Sequence, residues 1–193
     1  MTEHEITTIR PYTEDDWTTV CAIHDAARPQ EVAGVMPPEK VLSMTEAAED
    51  DMFFASTAFV ACAEDDRPVG FIAILDELIT WLYVAPGWQG KGIGRRLMTH
   101  VQPLIGDDGY VNCLASNTPA AEFYRSCGFE DAAVFPGDCE GYPCQVLRLC
   151  LPTSRHRERP PKPASSSLLL AGFTDEAPGH PEKDAAGVWR WVA

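Results

Sequence analysis

Apolar residues along the chain alternate between two spacings, and each spacing predicts a different kind of element. Recurrence every three or four residues predicts helices, whereas β-rich apolar runs bounded by turn residues predict strands. Predicted strands lie around Ile6 and Ile9 and over residues 57–65, 67–77, 78–86 and 110–116, with a closing pair over 134–151. Predicted helices cover residues 13–27, about 38–50, 93–102 and 117–129, and residues 28–40 form a predicted loop leading into the second helix.

This order of elements mixes neighbouring antiparallel strands with helical crossovers. A polar turn at residues 65–67 joins two strands directly, whereas a helix separates the strand ending at Pro86 from the next one. Such an order is typical of an α/β fold with a mixed, mostly antiparallel central sheet and flanking helices. The chain has 193 residues, which is enough for one full domain with its own core.

The composition changes after Leu151, which predicts a domain over residues 1–151 and a low-complexity tail over 152–193. The tail contains six prolines and a serine run, and its charge is +1. One interpretation is a poorly ordered tail that cannot bury enough apolar surface. In the other, its apolar spots pack onto the domain or onto a second copy. These spots are Leu168, Leu169, Leu170, Phe173, Trp189 and Trp191.

Net charge and cysteine usage narrow the class of protein. The chain carries a net charge of −14, and the part before the tail carries −15, so we expect no nucleic acid partner. Seven cysteines without paired metal-ligand spacing predict reduced core thiols and no metal site. The acidic, polar N-terminus and the lack of a long apolar run predict a cytoplasmic protein with no membrane partner.

The segment VAPGWQGKGIGRRL, residues 84–97, carries the clearest chemistry. A predicted strand runs into a loop with Gly90, Gly92 and Gly94, and a predicted helix follows. The first N–H groups of a helix lack intrahelical partners, and glycines let the backbone approach a ligand closely. This combination predicts an anion site suited to a phosphate or diphosphate. A tight connection without ligand remains the alternative interpretation.

Two better-known phosphate loops do not fit the spacing of this segment. A dinucleotide-binding fingerprint requires G-x-G-x-x-G, whereas this segment has G-x-G-x-G followed by arginine. A nucleotide-binding P-loop requires four residues between its first glycine and the Gly-Lys pair, whereas only two residues separate Gly87 from that pair here.

A second motif follows at residues 117–129, NTPAAEFYRSCGF. It matches N-x-x-A-x-x-F-Y-x-x-x-G-F at every position, and Gln89, Gly92 and Gly94 match Q/R-x-x-G-x-G/A. On these two motifs the chain resembles the GCN5-related N-acetyltransferase (GNAT) superfamily over roughly residues 6–151. The resemblance implies the GNAT-like α/β fold and acetyl-CoA as co-substrate.

The resemblance also implies roles for individual residues. The backbone of the strand before the loop would bond the pantetheine arm, and the loop amides would hold the diphosphate. Tyr124 matches the position that often protonates the departing thiolate, and Asn117 would bond the pantetheine arm while capping its helix. The implied cofactor-binding residues are Leu82, Tyr83, Val84, Gln89, Gly90, Lys91, Gly92, Ile93, Gly94, Arg95, Asn117 and Tyr124.

The general base is less defined. Many relatives carry a glutamate five residues before Asn117, but this chain has Asn112, which cannot accept a proton at neutral pH. We choose Glu77, at the end of the predicted strand over residues 67–77, as the catalytic base. Asp76, a water chain or an already deprotonated amine are the other possibilities, and a solvated turn carboxylate is the alternative interpretation of Glu77.

The resemblance implies that the acceptor binds between the loop joining the first two helices and the last strands. Glu31 would meet an amine, while Val32, Val35 and Met36 would form one apolar wall and residues 139–144 the other. The predicted function is transfer of an acetyl or short acyl group to a primary amine of a small molecule or peptide. The alternatives are a CoA-binding module without turnover and an acyltransferase acting on charged tRNA, which the acidic domain disfavours. A homodimer stays open.

Overall fold

The computed structural model describes residues 8–48, 52–157 and 180–192. These residues form two compact units, one built from 8–30 and 42–105 and the other from 31–41, 106–157 and 180–192. The predicted strand residue Ile6, the predicted helix end at 49–50 and the apolar segment 168–173 lie outside the described residues.

The first unit is an antiparallel sheet with helices. Its strands follow the order β1-β2-β3-β4. The aromatic side chains of Phe53, Phe71 and Trp81 are almost fully buried in its core. The elements are β1 (Thr8–Pro11), α1 (Trp17–Glu31, whose last residue belongs to the second unit), α2 (Met44–Ala47), β2 (Thr57–Cys62), β3 (Pro68–Leu75), β4 (Leu78–Val84) and α3 (Ile93–Ile105).

The helices of this unit differ from the predictions at their ends. α1 continues four residues into the predicted loop, and Arg28 in its last turn is buried. The helix predicted from Pro38 is instead a short 3₁₀ turn followed by the one-turn α2, which starts anew because Ser43 caps it. α3 passes Pro103 and ends before Gly106, whose φ is +60°.

The second unit contains β5 (Tyr110–Leu114), α4 (Thr118–Ser126), β6 (Glu130–Cys139), β7 (Tyr142–Cys150), β8 (His180–Lys183) and β9 (Trp189–Val192). Its strand order is β5-β7-β6-β9-β8. The pairs are antiparallel except β6 with β9, which is parallel. The predicted α/β class, with a mixed and mostly antiparallel sheet, is therefore confirmed.

Part of the predicted tail is built into this sheet. Trp189 pairs with Ala133 of β6, and its indole packs on the apolar cluster of the unit and donates to the Arg157 carbonyl at 3.1 Å. In residues 180–192 the structure therefore corresponds to the interpretation in which apolar spots fold back onto the domain. The sequence of residues 188–192, VWRWV, gave no indication of the partner strand. Within the described residues, no helix has the length and apolar character needed to cross a bilayer.

Candidate active site

The glycine segment forms a closed turn between β4 and α3. A 3₁₀ turn at Pro86–Trp88 follows β4, and the Gln89 side-chain amide donates to the Val84 carbonyl at 3.1 Å. Gly90 and Gly92 have φ of +74° and +79°, the left-handed region that favours glycine. A Cβ at either position would meet no atom within 4 Å. Residues 89–95, here called the diphosphate loop, thus leave open space above two glycines.

The start of α3 brings helix N-terminal N–H groups and positive potential to this loop. The first α-helical bond runs from the Arg96 N–H to the Gly92 carbonyl at 3.1 Å, so the N–H groups of residues 93–95 precede the intrahelical ladder. The first turn of α3 contains no acidic residue. The Lys91 ammonium lies 5.0 Å from the Trp88 ring centroid, and Arg95 and Arg96 are exposed. This geometry suits an anionic ligand.

Gly70 of β3 positions the loop, although sequence reasoning missed it. A Cβ there would lie 3.0 Å from the Tyr83 carbonyl oxygen, 3.2 Å from a methyl of Ile93 and 3.3 Å from a methyl of Val84. The absent side chain therefore lets the first residue of α3 pack directly on the sheet. An isolated glycine inside an apolar strand pattern was the available signal.

The β4 residues with implied backbone roles lie next to the loop. Leu82, Tyr83 and Val84 pair through one edge with β3. The Tyr83 hydroxyl accepts a hydrogen bond from the Arg28 guanidinium at 3.4 Å, and its ring lies 5.0 Å from that of His24. The side chain of Tyr83 is thus held in the core, and the implied contact to acyl-CoA rests on its backbone.

Glu77 lies at the other end of β4. It occupies the two-residue turn between β3 and β4 beside Asp76, whose φ is +51°. Seven strand residues at 3.3 Å each separate Glu77 from the end of β4 by about 23 Å. Its side chain is half-buried. Its role as general base stays a prediction.

α4 of the second unit begins as predicted. The Asn117 side-chain oxygen accepts from the Ala120 N–H at 3.2 Å, and a proline follows in the first turn. This bond satisfies one of the donors that a helix start leaves open. The capping part of the Asn117 prediction is observed, whereas its contact with pantetheine stays a prediction.

Tyr124 projects from α4 into the interior of the second unit. Its side chain is buried, and its ring centroid lies 6.1 Å from that of Phe129. Burial raises the pKa of the Tyr124 phenol well above its usual value, and the charge of Glu31 raises it further. Burial also raises the pKa of the Cys113 thiol to about 12. Tyr124 therefore carries its proton at neutral pH, as a general acid requires.

The structure gives Asn112 a partner. Its side-chain oxygen accepts a hydrogen bond from Arg148 Nε at 2.9 Å, and both side chains are buried. The register of β5 against β7 places the two residues directly opposite one another. Asn112 therefore orients an arginine.

The two predicted acceptor walls meet inside the second unit. Buried Val32 and Met36 belong to one apolar cluster with Cys139, and Val35 and Cys144 pack against that cluster. Glu31 precedes Val32 and is half-buried. We call this group the wall cluster; it also includes Leu114, Ala133, Phe135, Val146, Val41, Tyr142 and Trp189. Within the described residues, no three metal-binding side chains converge on one point.

Comparison with known proteins agrees with this geometry. Residues 55–131 match the family model described as the acetyltransferase (GNAT) domain, which includes the diphosphate loop and α4. A solved GCN5-related N-acetyltransferase from Rhodopseudomonas palustris covers 78% of this chain and 98% of its own, with a TM-score of 0.61 and 24% identity. Residues 55–131 therefore resemble the GNAT domain, and the chain shares the fold of this solved N-acetyltransferase.

Two curated relatives are similar over part of the chain. The peptidyl-lysine N-acetyltransferase YjaB of Salmonella typhimurium is 33% identical over 94 residues, which are 49% of this chain and 64% of that protein. An aminoglycoside N(6')-acetyltransferase of Stenotrophomonas maltophilia is 35% identical over 92 residues, or 38% of this chain and 59% of that protein. The chain thus spans less than two thirds of either relative.

Proposed function

We propose that the protein is an N-acetyltransferase that moves an acetyl or short acyl group from acyl-CoA to a primary amine of a small molecule or peptide. The observation that carries this proposal is the diphosphate loop. Two left-handed glycines with open space at their Cβ positions precede α3, whose first N–H groups come before its intrahelical ladder. Consecutive amides of this kind bind a diphosphate such as that of coenzyme A.

The relatives support the same chemistry. YjaB and the aminoglycoside acetyltransferase are both named for acetyl transfer to an amine, one on a peptidyl lysine and one on a small molecule. The yncA protein of Salmonella typhimurium, which shares the fold with a TM-score of 0.55, was solved with its cofactor acetyl-CoA.

The proposed reaction requires one proton to be removed and one to be supplied. The amine nitrogen attacks the thioester carbonyl carbon, the C–S bond breaks, and the amine loses its proton. Tyr124, which carries its proton at neutral pH, gives that proton to the departing thiolate. Either Glu77 or a water molecule at the turn between β3 and β4 removes the proton from the amine. Glu77→Gln should lower kcat at neutral pH and less so at high pH, where the amine is already neutral; an unchanged pH profile would remove Glu77 from the mechanism.

Calorimetric titration with acetyl-CoA tests the loop. In Gly92→Asn the new side chain enters the open space, and asparagine tolerates a positive φ better than most residues do. We expect acetyl-CoA affinity to fall at least about 10-fold, as when one charge-assisted hydrogen bond is lost. Gly106→Asn is the matched control, since Gly106 also has a positive φ and no atom within 4 Å of its Cβ position, at the far end of α3. Equal affinity in both variants would contradict a diphosphate at the loop.

A CoA-binding module without turnover is the second candidate, favoured by the engagement of Asn112 with Arg148 where relatives carry an acid. Release of free thiol from acetyl-CoA, measured over a panel of primary amines, separates the two. Amine-dependent release establishes the transferase, and tight acetyl-CoA binding without release with any amine establishes the module.

We also propose a domain organisation and a cellular location for the protein. The domain is residues 1–151, extended by residues 180–192 through β9. The seven cysteines, which all lie within the described residues, form no disulfide, and this suits a reducing, cytoplasmic environment. Light scattering on the purified chain tests the possible homodimer.

A further inference from the structure

Arg148 is a charged side chain in an unusual setting. It lies on β7 and is 8% exposed, and its guanidinium carbon is 4.9 Å from the Tyr110 ring centroid and 5.7 Å from that of Phe135. Its Nε donates to Asn112. Two aromatic rings and one amide therefore hold the guanidinium plane in a fixed orientation.

The outer nitrogens of this guanidinium have donors to spare. Within the described residues, neither Nη1 nor Nη2 of Arg148 donates a hydrogen bond, and no carboxylate pairs with the side chain. Desolvation lowers the pKa of the Arg148 guanidinium, but an arginine stays charged throughout the physiological range. A desolvated charge without a counter-ion is costly, and an anionic ligand removes that cost.

Arg148 lies beside the wall cluster. Phe135, which stacks on the guanidinium, belongs to that cluster together with Val32 and Met36. Arg148 and Val146 are two residues apart on β7 and so lie on the same face of this strand, and Val146 is also a cluster member. Arg148 thus shares one neighbour, Phe135, with the residues that the family resemblance assigns to the acceptor.

We propose that Arg148 binds a carboxylate of the acceptor, so that the acceptor is an amine that also carries a carboxylate, such as a free amino acid. This inference rests on the proposed function, because only a transferase has an acceptor. The planar guanidinium forms two parallel hydrogen bonds to a carboxylate, and its fixed orientation makes this geometry specific. A neutral carboxamide in place of the carboxylate loses the charge and one of the two acceptor atoms.

The experiment uses the full chain and a panel of L-amino acids, each beside its neutral carboxamide. Binding is measured by calorimetry with and without coenzyme A, and acetyl transfer is measured separately by thiol release. We expect at least one amino acid to bind about 10- to 100-fold more tightly than its carboxamide, the range for a hydrogen bond to a charged group. Arg148→Met keeps the apolar bulk and should reduce this ratio to about one.

Two further variants guard against loss of folding and unspecific charge effects. Arg148→Lys keeps the charge without the planar fork, so it should retain part of the preference. Arg155→Met removes an exposed arginine that pairs with Asp108 at 3.1 Å, and it should leave the ratio unchanged. If Arg148→Met does not fold, the ratio in Arg148→Lys decides, and an undiminished ratio there overturns the proposal.

The outcomes separate this inference from the proposed function. Acetyl transfer without any preference for the carboxylate, or a preference that survives in Arg148→Met, overturns the inference and leaves the transferase. Carboxylate-dependent binding that Arg148→Met abolishes, without acetyl transfer, supports the anion site and overturns the transferase. If no amino acid binds under either condition, the inference is wrong.

Discussion

Gly70 offers a sharp test of how β3 positions the diphosphate loop. In Gly70→Ala the added methyl would lie 3.0 Å from the Tyr83 carbonyl oxygen, which is tighter than most real Cβ contacts. That oxygen belongs to the paired strand β4 and cannot move alone. The methyls of Ile93 and Val84, at 3.2 and 3.3 Å, must also give way. Because Ile93 belongs to the diphosphate loop and Val84 ends the strand before it, the amides of the loop should move with these two residues.

The expected cost follows from this overpacking. Extra methyl groups in a well-packed core typically cost about 1–3 kcal/mol. We expect Gly70→Ala to lose this much free energy of unfolding, measured by denaturant titration. If about half of this free energy is also lost from acetyl-CoA binding, the Kd for acetyl-CoA should rise about 3- to 10-fold, since about 1.4 kcal/mol is tenfold in affinity.

Gly87→Ala is the matched control. Gly87 lies in the 3₁₀ turn of the same connection, but it has no positive φ, and a Cβ there meets no atom within 4 Å. Its stability and acetyl-CoA affinity should stay close to those of the unmodified chain. Unchanged stability and affinity in Gly70→Ala would refute the packing argument, and equal losses in both variants would show that the connection is sensitive to any substitution.

Three further predictions address other parts of the structure. Tyr124→Phe should lower kcat by about 100-fold or more, the usual range for a general acid, with little change in acetyl-CoA affinity; equal losses in both would indicate a packing role. Deleting residues 180–192 should lower Tm by about 4–8 °C, because Trp189 leaves its apolar cluster; an unchanged Tm would show that β9 contributes nothing. Asp16→Asn should cost about 1–3 kcal/mol at pH 7 by loss of the charge-assisted bond from Arg10 to the carboxylate. That bond lowers the pKa of Asp16, so its contribution is full above the unfolded value near about 4 and fades as pH falls below it; a difference between the two chains that persists in acid would contradict this origin.

Strands and long helices could be predicted from the sequence because their signals are local. Alternating or β-rich apolar runs with turn residues between them located β2, β3 and β4, and helical spacing located α3 and α4. Short elements were harder. The second helix was predicted to be longer than the single turn of α2. The cap at Ser43 starts a new helix at this point, and the apolar spacing used for the prediction does not show such a start.

The candidate site divides in the same manner. The loop glycines and Asn117 follow from short motifs, since backbone conformation and helix capping depend on adjacent residues. Gly70 and Arg148 were not predicted, because their roles depend on residues far away in sequence. Only the folded chain shows which methyl groups surround Gly70 or which rings enclose Arg148.

The parallel pairing of β6 with β9 has a consequence for the order of folding. Ala133 and Trp189 are distant in sequence, whereas β6 and β7 are joined by a tight hairpin. Contacts that close a large loop form late, so the hairpin should assemble well before β9 docks. Backbone amides of residues 189–192 should then exchange with deuterium through local opening, at lower protection than those of β7.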